Sequence, residues 1–292
     1  MRRTDRLLAG LVFLGTVAGI AFSAPPLTDV LLKDCAENDF GAPEVVLSAP
    51  SVAAPAEGET DALVWQLKTP IPEAVSRVAG VFAANGDFHS VCGNCNGHVS
   101  HPYDEVWKPL TNSWSRGLTH PAGNLGIHNH DAARIGDVIF VGGGSQGSSS
   151  YYNRLTAIDL QANAWTVRAS MPLNSFVYYA FAAAGDQVYC FGGYNQVSVL
   201  RSVYRYDPVS NSWTPRASMP EGRRSAAVAV IGDTIHVFGG MSRTDIWSTT
   251  NSHWKYCWSA NTWTVGSPMP SDLGWGRAVV VATPDSGPMV YI

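Results

Sequence analysis

The chain has 292 residues, a formal net charge of −4 at pH 7, and 14% charged against 46% hydrophobic residues. That length suffices for a sizeable core in one large or two small domains, and so mild an acidity gives no reason to invoke nucleic acid or an anionic membrane surface as a partner. Ten tryptophans and 28 glycines argue against a disordered chain.

Arg2, Arg3 and Arg6 precede an uncharged run from Leu7 to Phe22, and Ala21-Phe22-Ser23 offers small residues for cleavage before Ala24. The pattern predicts a signal peptide over 1–23 and a secreted chain, extracellular or periplasmic. A signal anchor is the alternative, because the uncharged run extends through Pro26. No second long apolar stretch follows, so no integral membrane segment is expected after cleavage. Residues 24–61 read as a flexible Ala/Pro-rich spacer. Ordered structure is expected from Ala62, with Leu63-Val64-Trp65-Gln66-Leu67 as an orphan outer strand able to complete a ring.

Beyond it the same pattern recurs. A small-residue strand a is followed by a Gly-Asp turn, an apolar strand b ending in a double glycine, a polar loop, strand c, an Asn-containing turn, and a tryptophan that opens strand d. The units fall at about 78–121, 122–172, 173–220 and 221–270. In the first, Asn85-Gly86-Asp87 is the turn, Cys92-Gly93 replaces the double glycine, and Trp107 stands where Tyr206 stands in the third. In the second, the loop from Ser145 to Tyr152 reads as polar and mobile. The third is the clearest, with Gly185-Asp186, Phe191-Gly192-Gly193, Tyr204-Arg205-Tyr206-Asp207-Pro208, Asn211-Ser212-Trp213 and Met219-Pro220. The fourth repeats it with Gly232-Asp233, Phe238-Gly239-Gly240, Asn261-Thr262-Trp263 and Met269-Pro270. A partial fifth unit covers 271–292. Its turn is expected over Pro284 to Pro288, with strand b from Met289. Its missing outer half reads as an incomplete polypeptide, whose open edge predicts instability; a five-bladed ring with a degraded last blade is the alternative.

Small residues on strand a suit strands crowded around an axis, and large aromatics suit splayed outer strands. The expected fold is all-β, a β-propeller of four-stranded antiparallel blades with four complete units and a partial fifth. The double-glycine, Asn-x-Trp and Met-Pro motifs resemble the kelch repeat over residues 62–292. The resemblance implies a propeller fold and leaves activity open, because propellers host both enzymes and binding modules. Relatives by that resemblance include a secreted sialic-acid epimerase and copper radical oxidases, whose catalytic residues have no clear match here.

Cys92 and Cys95, followed by His98 and His101, form the sharpest local cluster. Their spacing admits a disulfide, a zinc or copper site, or free thiols. Cys190 and Cys257 lie in adjacent units and form a second possible pair. His128, His130 and Asp131 approach strand a of the second unit and should stand beside that cluster. Arg223, Arg224, Arg243 and Arg277 belong to the same face, where arginines suit a carboxylate or a glycan. Arg223 and Arg224 also have Glu221 as a local partner, His236 reads as a core histidine, and Arg168 and Arg216 as blade-packing residues. No catalytic constellation and no oligomerisation signal is evident. The expectation is an exported interaction module binding a protein or glycan through one face; the alternative is a sugar-active enzyme resembling an epimerase or, further off, a copper oxidase.

Overall fold

The computed structural model describes residues 68–73, 75–95, 99–121, 127–146, 150–173, 177–244, 248–283 and 287–292. None of these is helical, and none forms a helix able to cross a membrane. The orphan strand expected over 63–67 lies outside them.

The chain runs β1 (Val75–Ser76), β2 (Ala79–Phe82), β3 (Phe88–Val91), β4 (Asn94–Cys95), β5 (Val99–Ser100), β6 (Tyr103–Lys108) and β7 (Ser113–Thr119). Blade one is the sheet β2-β3-β6-β7, and β1, β4 and β5 make a small ribbon beside its b–c loop. Blade two is β8 (Asp131–Ile135), β9 (Val138–Gly142), β12 (Leu155–Asp159) and β13 (Ala164–Arg168). The short β10 (Ser145–Gln146) and β11 (Ser150–Tyr151) pair within its b–c loop. Blade three is β14 (Ala180–Ala184), β15 (Gln187–Phe191), β16 (Val203–Asp207) and β17 (Ser212–Arg216). Blade four is β18 (Ala227–Ile231), β19 (Thr234–Phe238), β20 (His253–Cys257) and β21 (Thr262–Val265). Two strands, β22 (Val279–Thr283) and β23 (Gly287–Tyr291), begin blade five. Four complete antiparallel blades and a partial fifth are thus present, their innermost strands in contact in the order β2, β8, β14, β18, β22.

At the base of the loop from Ser145 to Tyr152, Ser145 pairs with Tyr151 and Gln146 with Ser150, so the backbone groups there satisfy one another. One expectation needs correction. Strand b of blade five starts at Gly287, before Met289, with Ala282 opposite Pro288. Proline fits there because, among the described residues, no further strand pairs with β23 to require its N–H.

Local chemistry explains the blades. At the c–d turn Asp207 Oδ1 accepts the amides of Val209 (2.8 Å) and Ser210 (3.3 Å), after which Asn211 takes φ 50°. A short side-chain acceptor followed by a residue tolerant of left-handed backbone is what this reversal requires. Asn211 then links blades. Its Oδ1 accepts Ala169 N from blade two (2.8 Å) and the Tyr206 hydroxyl (2.8 Å), while Trp213 Nε1 donates to Ala169 O (2.9 Å). Asn261, Tyr256 and Trp263 repeat the clamp on Ala217, and Asn112 and Trp114 repeat it on Thr69. Thr69 therefore takes the same place in the clamp as Ala169 and Ala217.

Inside, Ala180, Ala182, Ala184, Ala227 and Ala229 are buried on the inner strands. Farther out, Phe191 packs edge-on against Tyr256 (5.7 Å) and Trp263 (5.9 Å). Arg216 spans blades three and four, donating from Nη2 to Trp258 O (3.1 Å), which is the packing role its repeat position predicts. Trp213→Phe keeps an aromatic ring, though a smaller one, and removes the donor. It should cost about 1–2 kcal/mol, a fall of roughly 3–6 °C in apparent Tm; calorimetry showing no fall would remove the clamp from the stability argument.

Candidate functional site at the propeller mouth

Two residues ahead of each complete blade's inner strand the backbone turns left-handed, at Arg77, Asn129, Tyr178 and Ser225, and the matching residue of the partial blade is Trp275. Their φ angles are 57°, 57°, 60°, 54° and 64°, and none is glycine. Such backbone costs about 1–2 kcal/mol per residue and is held by a belt of bonds between blades. Tyr178 N donates to Asn129 O (3.4 Å), Ser225 N to Tyr178 O (2.6 Å) and Trp275 N to Ser225 O (3.2 Å). The belt runs along one end of the axis from blade two to blade five.

Two contacts cross that end. The Trp275 ring meets Tyr178 edge-on, with centroids 5.0 Å apart at 89°. Arg277 Nη1 lies 3.0 Å from Asp131 Oδ1. These join blade five to blades three and two, so neither follows the order of the ring. Asp131 is buried and fixed, its Oδ2 accepting Phe181 N (2.9 Å) and its Oδ1 accepting Ala132 N (3.0 Å). Arg277 and Trp275 are exposed. The guanidinium is thus held by one edge and open to solvent at the other. Arg224 is buried; its Nε and Nη2 donate to the carbonyls of Arg243 and Thr244, and its guanidinium lies 5.7 and 5.5 Å from the Tyr178 and Tyr194 rings.

The remaining candidates separate. Arg223 is buried and tied to Glu221 (2.7 Å), Ser252 (3.0 Å) and Gly222 O, as its local pairing suggested. Arg243 is exposed on the loop after blade four's strand b. His128 and His130 are buried, and they do stand beside blade one: His130 Nε2 bonds Val91 O (2.9 Å), and Gly93 N donates to Ile127 O (2.9 Å). That bond makes Nε2 the protonated nitrogen of His130 and leaves Nδ1 buried without a hydrogen bond among the described residues. Burial, with smaller repulsion from His120, pushes its pKa down to about 3, so the ring is neutral near pH 7.

The disulfide expectation is corrected here. Cys92 is a free, buried thiol, so no Cys92–Cys95 bridge forms, and Cys190 is also free, so it does not pair with Cys257. The reason is backbone geometry. Cys92 takes φ 52°, matching Gly143 (52°), Gly192 (60°) and Gly239 (57°), so it fills the first position of the repeat's double glycine instead of reaching along the loop. Burial pushes its thiol up to about 12, which disfavours the thiolate a metal would need. His101 is held between Glu73 (3.1 Å) and Glu105 (3.4 Å). His98 and the side chain of Cys95 lie outside the described residues, among which no three His, Cys, Asp or Glu side chains converge as a metal site.

A family described as the KLHDC2/KLHL20/DRC7 Kelch-repeats domain matches residues 67–287. The chain belongs to the kelch-repeat family. Human Kelch-like protein 23 is 29% identical over 147 residues, 49% of this chain and 26% of that protein. Kelch-like protein terF of Aspergillus terreus is 30% identical over 156 residues, 50% of this chain and 33% of its own length. The N-acetylneuraminate epimerase of Brucella suis is 32% identical over 130 residues, 41% of this chain and 32% of that enzyme. The chain therefore spans about a quarter to a third of the curated relatives it matches. A solved structure of YjhT superposes with TM-score 0.64 at 13% identity, over 79% of this chain and 84% of that one, a likeness of fold.

In this kelch propeller the residues that sequence reasoning missed are Arg77, Asn129, Tyr178, Ser225 and Trp275. A signal existed, since they recur about every fifty residues. It was hidden because the five side chains share no chemistry; only the backbone angle repeats. Also missed was the interior of blade one, where buried His89 Nδ1 pairs with Asp104 Oδ2 at 2.9 Å.

Proposed function

We propose that this kelch propeller is an exported interaction module that binds an acidic glycan at the mouth ringed by Trp275, Tyr178 and Arg277. The observation that carries the reading is the Arg277–Asp131 contact across the axis. It holds a guanidinium at the mouth with one edge exposed, beside an exposed indole. A guanidinium edge matches a carboxylate in two parallel hydrogen bonds, and an aromatic face or edge suits the apolar side of a sugar ring. Export belongs to the same proposal and rests on residues 1–23. Trp275→Ala and Arg277→Gln should each weaken binding of N-acetylneuraminate about tenfold or more, read by saturation-transfer NMR and calorimetry. Unchanged affinity in both, with binding retained elsewhere, would move the site away from the mouth.

A second reading is favoured by the epimerase relative: the bound sugar is also isomerised. A base must lie near the reacting atom, and neutral, buried His130 is a candidate on this face. Exchange NMR between the anomers of N-acetylneuraminate separates the two readings. Exchange above the buffer rate that His130→Ala removes supports catalysis; saturable binding at the buffer rate leaves a binding module.

A further inference from the structure

A cavity of about 160 Å³ lies between blades one and two, away from the axial contacts of Arg277 and Trp275. Its polar lining comes from His120, Gln146, Tyr152, Arg154 and Thr156, with Val141 among its apolar residues. We infer that this cavity is a second binding site, for a small oxyanion such as phosphate or a carboxylate group, with Arg154 as its charged contact.

Composition points to charge. The lining contains an arginine and no aspartate or glutamate. Arg154 is exposed; its guanidinium has a ring contact with Tyr152 at 5.7 Å, and no hydrogen bond or ion pair joins it to another described side chain. The other polar groups are ordered. The Thr156 hydroxyl donates to Val141 O (3.1 Å) and so accepts from His120 Nε2 (3.2 Å), and the Tyr152 hydroxyl donates to Gln146 Oε1. His120 is further fixed by an edge contact with Trp165, centroids 4.8 Å apart. An arginine at the rim of a cavity walled by oriented polar groups is suited to an anion.

Size limits the ligand. At about 30 Å³ per water the space holds roughly five waters, well below the ~300 Å³ where pockets begin to enclose a drug-sized molecule. The occupant is a small anion or the anionic tip of something larger. The cavity also explains a local departure from the repeat. Blades three and four clamp the preceding blade through tryptophan, but Trp165 Nε1 has no hydrogen bond among the described residues, and histidine and threonine occupy the junction instead. The charge of Arg154 helps burial hold the His120 pKa down at about 4. An anion beside both would offset that repulsion, so binding should tighten as pH falls toward 5.

The test titrates the protein separately with inorganic phosphate and acetate, following backbone amides by NMR. Saturable shifts centred on Tyr152 and Thr156 are expected, weakened at least tenfold by Arg154→Gln and unchanged by Arg277→Gln. Acetate binding alone, or phosphate binding alone, supports the site and names its preferred oxyanion. Equal binding by Arg154→Gln, shifts that map to the mouth and vanish with Arg277→Gln, or no saturation by about 50 mM of either anion would overturn it. Because Arg154 is exposed, its replacement leaves the core intact. Loss of the Arg277-dependent mouth site leaves this inference standing, so the two proposals fail separately.

Discussion

Gly192→Ala should severely destabilise the fold, although it adds a single methyl group. Gly192 has φ 60°, where an L-residue already loses about 1–2 kcal/mol. A Cβ there would collide with the Arg223 carbonyl oxygen and come within 2.8 Å of Met219 Cε. The methionine can yield, but the carbonyl cannot move freely. It accepts Gly193 N at 2.7 Å, the bond that ties the end of blade three's strand b to the approach of blade four. The methyl therefore breaks the junction or distorts both blades, a loss of about 4 kcal/mol or more against a typical total of ~5–15. Gly232 is the control. It has a similar φ of 55°, but nothing lies within 4 Å of its would-be Cβ. Gly232→Ala should cost only about 1–2 kcal/mol, or roughly 2–8 °C in apparent Tm. If the two variants melt within about 3 °C of each other, close approach is not what selects glycine at position 192.

Mild acid should destabilise the protein nearly as severely. Burial lowers the pKa of His120 and His236 to about 4 and that of His130 to about 3. Hydrogen bonding shows why the neutral forms are built in. His253 Nδ1 donates to Ser267 O (3.1 Å), so its Nε2 accepts from His236 Nδ1 (2.8 Å), and the two stacked rings share a single proton between them. In the unfolded chain each histidine titrates near 6.5, so between that value and the folded pKa the unfolded state binds more protons. The stability is complete above about pH 6.5 and is lost as the pH falls toward 4. At about pH 4.5 each of the three groups forfeits roughly 2–3 kcal/mol. Urea unfolding at about pH 7.5, 5.5 and 4.5 should show the midpoint collapsing across this window. His236→Gln retains a donor toward His253 and should flatten the slope by about one proton. A midpoint that is level from about pH 7 to 4.5 would mean that these rings are hydrated in solution.

Both effects depend on where blades meet, and that divides what could be read in advance. The Gly-Asp turns, the strands opened by Trp114, Trp165, Trp213 and Trp263, and the alanine-rich inner strands were legible because each expresses a short-range preference repeated four times. The burial of His236 and the Arg223–Glu221 pair were legible for the same reason, one from its place mid-strand and the other from two residues of separation. Cys92 was not. Beside Cys95 it looked like half of a thiol pair, whereas its alignment with Gly143, Gly192 and Gly239 shows a backbone position occupied by an unusual residue.

The sequence by itself determined the blade, its period, its turns and the face on which polar loops gather, because hydrogen bonding within four consecutive strands is local. It also determined membership in a propeller class, since small inner and large outer side chains suit only a wedge. Tertiary structure alone decided which loop residues meet. Asp131 and Arg277 stand 146 positions apart (277 − 131) and touch at 3.0 Å, and Tyr178 meets Trp275 across the same axis. Likewise the blade-one and blade-two junction became a polar cavity where later junctions are clamped by tryptophan. The physical reason is that contacts across a ring depend on the summed tilt and spacing of every blade between, and no single repeat encodes that sum.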